Sequence, residues 1–242
     1  MQIWIARLDA ISSDDTLGLS ASLNSEEQAR AERFHFERDR RHFMATRGIL
    51  RSLLAEVSNT SAHELVFERG PHGKPALAVA DDEGRALHFN VSHSAGLAMF
   101  ALTRGREIGV DIEAVARFED EDETLPQLAA RILSPRELEI WQALPDQDAR
   151  RVGFLRAWTR KEAYIKATGE GLSAGLHTIE VALDAAAPRS FVIINSEQHA
   201  QTNREWIVHD LTAPPGFLAA LAVEVTRDAA ARAPISQSRE RA

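Results

Sequence analysis

Residues 108–113, Ile-Gly-Val-Asp-Ile-Glu, alternate with a period of two. As a β-strand this segment sends Ile108, Val110 and Ile112 to one face and Asp111 and Glu113 to the other. The apolar face must be covered by another layer. The two carboxylates repel at this spacing, so they must be solvated or neutralised by a cation. A charged edge strand meets that need with water alone. Magnesium meets it too, because it takes oxygen ligands, often one or two carboxylates together with substrate phosphates.

A covering layer is within reach, since 44% of the 242 residues are hydrophobic, enough for one large domain or two small ones. No stretch approaches the ~20 apolar residues of a membrane helix, and Met1 to Ala10 lacks the segments of a secretion signal. The expectation is a soluble cytoplasmic protein without membrane contact. The chain has no cysteine, which excludes disulfides, thiolate chemistry and thiolate-bound zinc and leaves His, Asp and Glu as metal ligands. A formal charge of −8 argues against a general nucleic-acid binder. The charge is uneven, however: seven arginines from Arg30 to Arg51 stand against Glu32, Glu37 and Asp39, a local +4. Such a run reads either as a solvated helix face or as an anion site.

Local signals sketch mixed helices and strands. Gln2–Leu8 reads as a strand, and Ser25 before Glu26, Glu27 and Gln28 as the capped start of a helix. A break at His35–Glu37 precedes a second helix with Leu50, Leu53, Leu54 and Val57 on one face. Gly70–Gly73 is turn material, Lys74 lies on a loop, Pro75–Val79 is extended and Asp81–Gly84 turns again. Phe89–Ser94 ends a strand in a polar turn, and Leu97–Thr103 is expected to form a hairpin with Ile108–Glu113 across Arg104–Glu107. Glu119–Glu123 is expected as a solvated acidic loop. Ser134, Pro135 and Glu137 cap a helix through Trp141, and Phe154–Ala167 is a stronger helix stopped by Gly169 and Gly171. Thr178–Leu183, Phe191–Ile194, Trp206–His209 and Leu218–Val225 read as strands, whereas Arg227–Ala242 has little to bury and is expected to be disordered. No Walker loop, dinucleotide glycine fingerprint or Gly-x-Ser-x-Gly turn occurs.

A second constellation runs from Trp158 to Lys166. At 100° per residue, Phe154, Trp158 and Ile165 share a stripe with Leu155 beside them, and Glu162 falls between Trp158 and Leu155. An acid on a buried stripe is costly unless paired or metal-bound. Lys166, four residues on, faces the same way, so a helical ion pair worth ~0.3–0.5 kcal/mol is the plainer alternative. Ser92 and His93 are adjacent in sequence, and neighbours rarely aim at each other as nucleophile and base must, which argues against a serine hydrolase. His93 is a surface residue or a phosphate ligand.

In order and spacing, Gly73-Lys74-Pro75, Phe89–Ser94, Gly109–Glu113, Trp158–Lys166 and Gly169–Leu172 resemble the 4′-phosphopantetheinyl transferase superfamily, specifically its larger, monomeric Sfp-type class. The similarity spans Leu19 to Ser173. It implies an α+β fold of two similar α/β subdomains related by a pseudo-twofold, each with helices on a mainly antiparallel sheet. The subdomains would be residues 1–105 and 106–226, followed by the tail 227–242. The activity implied is transfer of the 4′-phosphopantetheine arm of coenzyme A to a serine of an apo acyl, peptidyl or aryl carrier protein, releasing adenosine 3′,5′-bisphosphate. By the same resemblance Asp111, Glu113 and Glu162 hold Mg²⁺, with Mn²⁺ as an alternative. Lys166 and His93 contact phosphates, and Lys74 and Ser92 join the coenzyme site. Arg38, Arg40, Arg41 and Arg47 take the 3′-phosphate. Glu162 is then the candidate general base, directly or through a water on the cation, and Lys166 neutralises the leaving phosphate. A metal-dependent phosphohydrolase or nuclease, and a non-catalytic coenzyme A-binding regulator, are the alternatives. Neither accounts for the whole ordered set of motifs.

Overall fold

The computed structural model describes residues 1–70, 73–77, 85–118, 124–171, 175–183, 190–192, 205–225 and 239–240. They form an α+β fold of two similar halves, each a mainly antiparallel sheet with one 22-residue helix laid across it. The first half contains β1 (Gln2–Arg7), α1 (Ser13–Ser20), α2 (Ser25–Glu32), α3 (Glu37–Ser58), the small ribbon β2 (Phe67–Arg69) and β3 (Pro75–Leu77), β4 (Leu87–Ser94) and β5 (Leu97–Arg104). The second contains β6 (Ile108–Ala114), α4 (Leu125–Ile132), α5 (Pro135–Gln142), α6 (Gln147–Thr168), β7 (Ser190–Val192), β8 (Glu205–Leu211) and β9 (Phe217–Val225). A last strand, β10 (Arg239–Glu240), joins the first sheet in the order β10-β1-β5-β4; the second sheet runs β6-β9-β8-β7.

Helix boundaries follow from local chemistry. The cap of α2 is Asn24 and not the expected Ser25: the Asn24 side chain accepts from the Glu27 N–H, while the Glu27 carboxylate accepts from the Asn24 N–H. An acid at the third helical position selects the cap three residues before it. The same device starts α5 at Ser134 with Pro135 and Glu137, as expected. Gly169, at φ 74°, ends α6. Helices α1 and α4 have no counterpart in the sequence reading.

Three cores hold the layers. Leu50, Leu53 and Leu54 of α3 pack on Leu87, Phe89, Phe100 and Leu102 of the first sheet. Phe154, Leu155, Tyr164 and Ile165 of α6 pack with Val208, Ala220 and Ala222 of the second. Between the sheets, Ile108, Val110 and Ile112 meet Ile3, Ile5, Leu97 and Met99. The alternation in β6 therefore faces its apolar side to the other half of the molecule.

Two expectations about strand pairing fail. Leu97–Thr103 and Ile108–Glu113 do not make a hairpin: β5 lies between β1 and β4, and β6 pairs with β9. Every residue of β5 except Arg104 is buried, so it needs a neighbour on each side. One neighbour comes through the tight turn Ala95–Gly96, where both φ angles are positive (42° and 81°) as a two-residue hairpin turn requires. Ser92, His93 and Ser94 consequently belong to strand β4, not to a polar turn. Thr178–Leu183 is not a ladder strand either. Leu176–Thr178 is a single 3-10 turn, and Ile179, Val181 and Leu183 bury alternate side chains against the α6 core, which imitates strand periodicity. The expected acidic loop Glu119–Glu123, the turn Asp81–Gly84, Leu172, Ile194 and the tail apart from β10 lie outside the described residues.

Candidate active site

Helix α6 lies over β6 on the side of Gly109, Asp111 and Glu113. A Cβ at Gly109 would collide with the carbonyl oxygen of Ala163 and the nitrogen of Ala167, so only glycine admits the helix this closely. The approach puts Lys166 on Asp111. Its Nζ donates to Asp111 Oδ1 at 2.6 Å and to Ser92 Oγ at 2.9 Å, and Ser92 Oγ donates to the same carboxylate oxygen at 2.8 Å. Glu113 accepts from Ser94 Oγ at 2.8 Å through Oε2 and from Arg117 Nη1 through Oε1.

The helix presents a different face from the one its sequence pattern suggests. Phe154, Leu155, Arg160, Lys161, Tyr164 and Ile165 are buried all round, while Trp158, Glu162 and Lys166 form the partly open stripe. A helix packed on a sheet and on other helices has no single apolar stripe, so Glu162 borders the site and not the core. It does not make a direct ion pair with Lys166; Lys166 serves Asp111 instead.

Two of the three acids are short of partners. Asp111 is 2% exposed, and its Oδ2, like Glu162 Oε1, is buried without a hydrogen bond. Burial raises the Asp111 carboxyl above its ordinary range in spite of Lys166. Burial also raises Glu113, with the charge of Asp111 adding to it, and raises Glu162 against the offset of Lys166 and with the help of both other acids. Three oxygen-bearing groups that resist joint ionisation, two with an orphaned buried oxygen, suit a hard divalent cation. Among the described residues no three His, Asp or Glu side chains already stand at ligating spacing. Lys166 and Arg117 balance Asp111 and Glu113 in the meantime.

Beside the acids opens a cleft of about 650 Å³, lined by Arg30, Arg38, His42, Arg47, His93 and Ser94 among others. Asp9 holds two of these groups: Arg38 donates to it at 3.2 and 3.0 Å, and His42 lies 2.9 Å away. Partial burial, then the Lys166 ammonium, keeps the His93 imidazole below its usual value. His93 thus links the basic cleft to the acidic cluster.

The remaining candidates divide. Arg47 lines the cleft but is committed to Glu27, which also binds the fully buried Arg51 at 2.7 Å. Arg40 pairs with Glu37 on the surface, Arg41 reaches the Ile11 carbonyl at 3.5 Å, and neither lines the cleft. Lys74 is not gathered into the cluster. Its Nζ reaches Glu107 Oε2 at 2.6 Å, the Ala167 carbonyl at 2.7 Å and the Ile108 carbonyl at 3.2 Å, which ties the first half to the end of α6. Ser94, Arg117, Asp9 and His42 escaped the sequence reading. Of these only Ser94 carried a signal, its two-residue spacing from Ser92 on a strand.

The description "4′-phosphopantetheinyl transferase superfamily" matches residues 107–222, and "4′-phosphopantetheinyl transferase, N-terminal" matches residues 11–104. The 4′-phosphopantetheinyl transferase HetI of Nostoc sp. is 39% identical over 223 residues, covering 92% of this chain and 87% of the relative. The 4′-phosphopantetheinyl transferase psf-1 of Bacillus pumilus is 30% identical over 167 residues, covering 68% of this chain and 66% of the relative. The chain belongs to the 4′-phosphopantetheinyl transferase superfamily. Within it, the chain is an enzyme of the two-subdomain, Sfp-type class. Among solved structures, holo-ACP-synthase from Plasmodium yoelii aligns over 49% of this chain and 92% of its own, with 17% identity and a TM-score of 0.41.

Proposed function

We propose that this enzyme moves the 4′-phosphopantetheine of coenzyme A to a serine of an apo acyl, peptidyl or aryl carrier protein, releases adenosine 3′,5′-bisphosphate, and requires magnesium. The observation that carries the reading is the cluster Asp111, Glu113 and Glu162, in which Asp111 Oδ2 and Glu162 Oε1 are buried without a hydrogen bond, at the edge of a basic cleft of about 650 Å³. These three would hold Mg²⁺ (or Mn²⁺), which supplies charge neutralisation of the diphosphate.

The chain's own groups divide the remaining work. Arg38 and His42, steadied by Asp9, face the cleft as receptors for the 3′-phosphate, with Arg47 behind them. His93, which lines the cleft, and Ser92, which is bonded to Asp111 and Lys166, would contact the diphosphate between cleft and acids. Glu162, whose carboxyl burial raises above its ordinary range, is the general base for the carrier hydroxyl. The serine oxygen forms the bond to the β-phosphorus, the bond to the α-phosphate oxygen breaks, and the serine proton goes to a Glu162 oxygen. Lys166, which donates to Asp111, would neutralise the departing bisphosphate. Lys74 supports the site from the junction of the two halves, and Arg40 and Arg41 contribute to the surface field. A subdomain division at residues 105/106, a monomer and a cytoplasmic location belong to the same reading.

The test incubates the protein with coenzyme A, Mg²⁺ and a panel of apo carriers and weighs the carriers by mass spectrometry. A phosphopantetheine adduct that disappears with a chelator and returns with Mg²⁺ or Mn²⁺ is expected. Undiminished transfer in metal-free buffer would overturn the metal assignment.

A further inference from the structure

Strands β4 and β6 lie in different sheets, yet β4 side chains bind the β6 backbone. Asn90 Oδ1, Ser92 Oγ and Ser94 Oγ accept from the N–H groups of Val110, Ile112 and Ala114 at 3.0, 3.4 and 3.1 Å. The offset is twenty residues at each step, so the two strands run parallel in fixed register. A serine hydroxyl has one proton to donate. Ser92 gives its proton to Asp111, and Ser94 gives its proton to Glu113. Each hydroxyl therefore clamps a β6 carboxylate to the backbone of the same strand, and the clamp belongs to the other half of the molecule.

We propose that Ser94 is a positioning residue of the cation site, fixing Glu113 in the orientation in which it meets the ion. The proposal rests on the reading of Asp111, Glu113 and Glu162 as cation ligands. The second partner of Glu113, Arg117, cannot serve this purpose. Its guanidinium is 44% exposed and cancels the charge that attracts a divalent ion. Ser94 is neutral and set in a strand, so it orients the carboxylate without spending its charge. Donors of this kind, one step removed from the metal, set both ligand geometry and affinity. Because the donor comes from β4 and the ligand from β6, the cation site is complete only when the two halves are in register.

Mn²⁺ titrated by electron paramagnetic resonance into the full chain, with and without saturating coenzyme A, tests this directly. Ser94→Ala is expected to weaken Mn²⁺ binding by about tenfold or more, and Ser94→Thr, which keeps the hydroxyl, to restore most of it. The melting temperature separates positioning from a role in the seam alone. The stabilisation gained on adding Mn²⁺ should shrink in Ser94→Ala, whereas an equal drop with and without the ion, at unchanged Mn²⁺ affinity, overturns the proposal. If Ser94→Ala does not fold, Ser94→Cys is nearly isosteric and a weaker donor; wild-type affinity in folded Ser94→Cys overturns the proposal as well. Wild-type protein that binds no Mn²⁺ under either condition removes the cation reading, and this proposal with it.

Discussion

Lys161 and Glu162 are neighbours on α6, but they end in opposite electrostatic settings. Lys161 is fully buried, and its ammonium donates to the Ile132 carbonyl at 2.8 Å, the Leu176 carbonyl at 3.0 Å and Glu137 Oε2. Glu137 in turn accepts from the N–H groups of Ser134 and Val181, both at 2.7 Å. That network is closed, and it pins α4, α5 and the segment after α6 to one point. Around Glu162 the accounts stay open: Asp111 Oδ2 and Glu162 Oε1 have no partner, and all three acids are raised. A closed buried network contributes to one native arrangement, whereas an open one costs stability until something enters to complete it. The difference separates a satisfied charge from an unsatisfied one along a single helix.

The strongest test of the contrast is Lys161→Ala. It strands the Glu137 carboxylate in the interior and should cost about 3–5 kcal/mol in urea unfolding. A loss under about 1 kcal/mol would mean that the network is not closed as described. At the neighbouring position, Glu162→Gln should keep or raise the melting temperature without metal, because it removes a repelled charge, while kcat falls by about a hundredfold or more. A stable variant with normal turnover would place Glu162 outside the chemistry.

The Lys74–Glu107–His88 staple lies between these extremes. Lys74 and His88 hold the Glu107 carboxyl at about 2 against the desolvation that would raise it. A depressed carboxylate contributes stability that is present above its unfolded value near 4.5 and is lost as pH falls toward 2. Glu107→Gln should therefore lower stability by about 1–2 kcal/mol at pH 7, with the gap to wild type closing in acid. A gap that stays constant with pH would show that packing, not charge, makes the contribution.

The smallest effects separate the arginines. Arg38→Ala should raise the KM for coenzyme A more than that for its 3′-dephospho form, since Arg38 faces the cleft. Arg40→Ala, whose partner Glu37 lies in solvent, should leave both values and the melting temperature unchanged. Equal responses of the two variants would erase the distinction between cleft and surface.

Sequence alone determined what is local or periodic in this protein. The alternation in residues 108–113 defined a strand with one apolar and one acidic face, Ser134-Pro135 and Gly169 marked helix ends, and the ordered motifs pointed to the family. Those features depend on residues within a turn or two of one another, where propensity, capping and period act directly. Tertiary structure decided the rest. Strand β6 pairs with β9 more than a hundred positions later in the chain, a choice that no turn signal near Arg104–Glu107 encodes. Glu162 faces the site because α6 crosses β6 at Gly109 while α4 and α5 pack against it from elsewhere. Lys74 and Arg47 are tied to Glu107 and Glu27, partners that chain order does not indicate. Burial and long-range pairing are properties of the packed layers, so the same carboxylate can be solvated at an edge or buried beside a lysine until the fold chooses its neighbours.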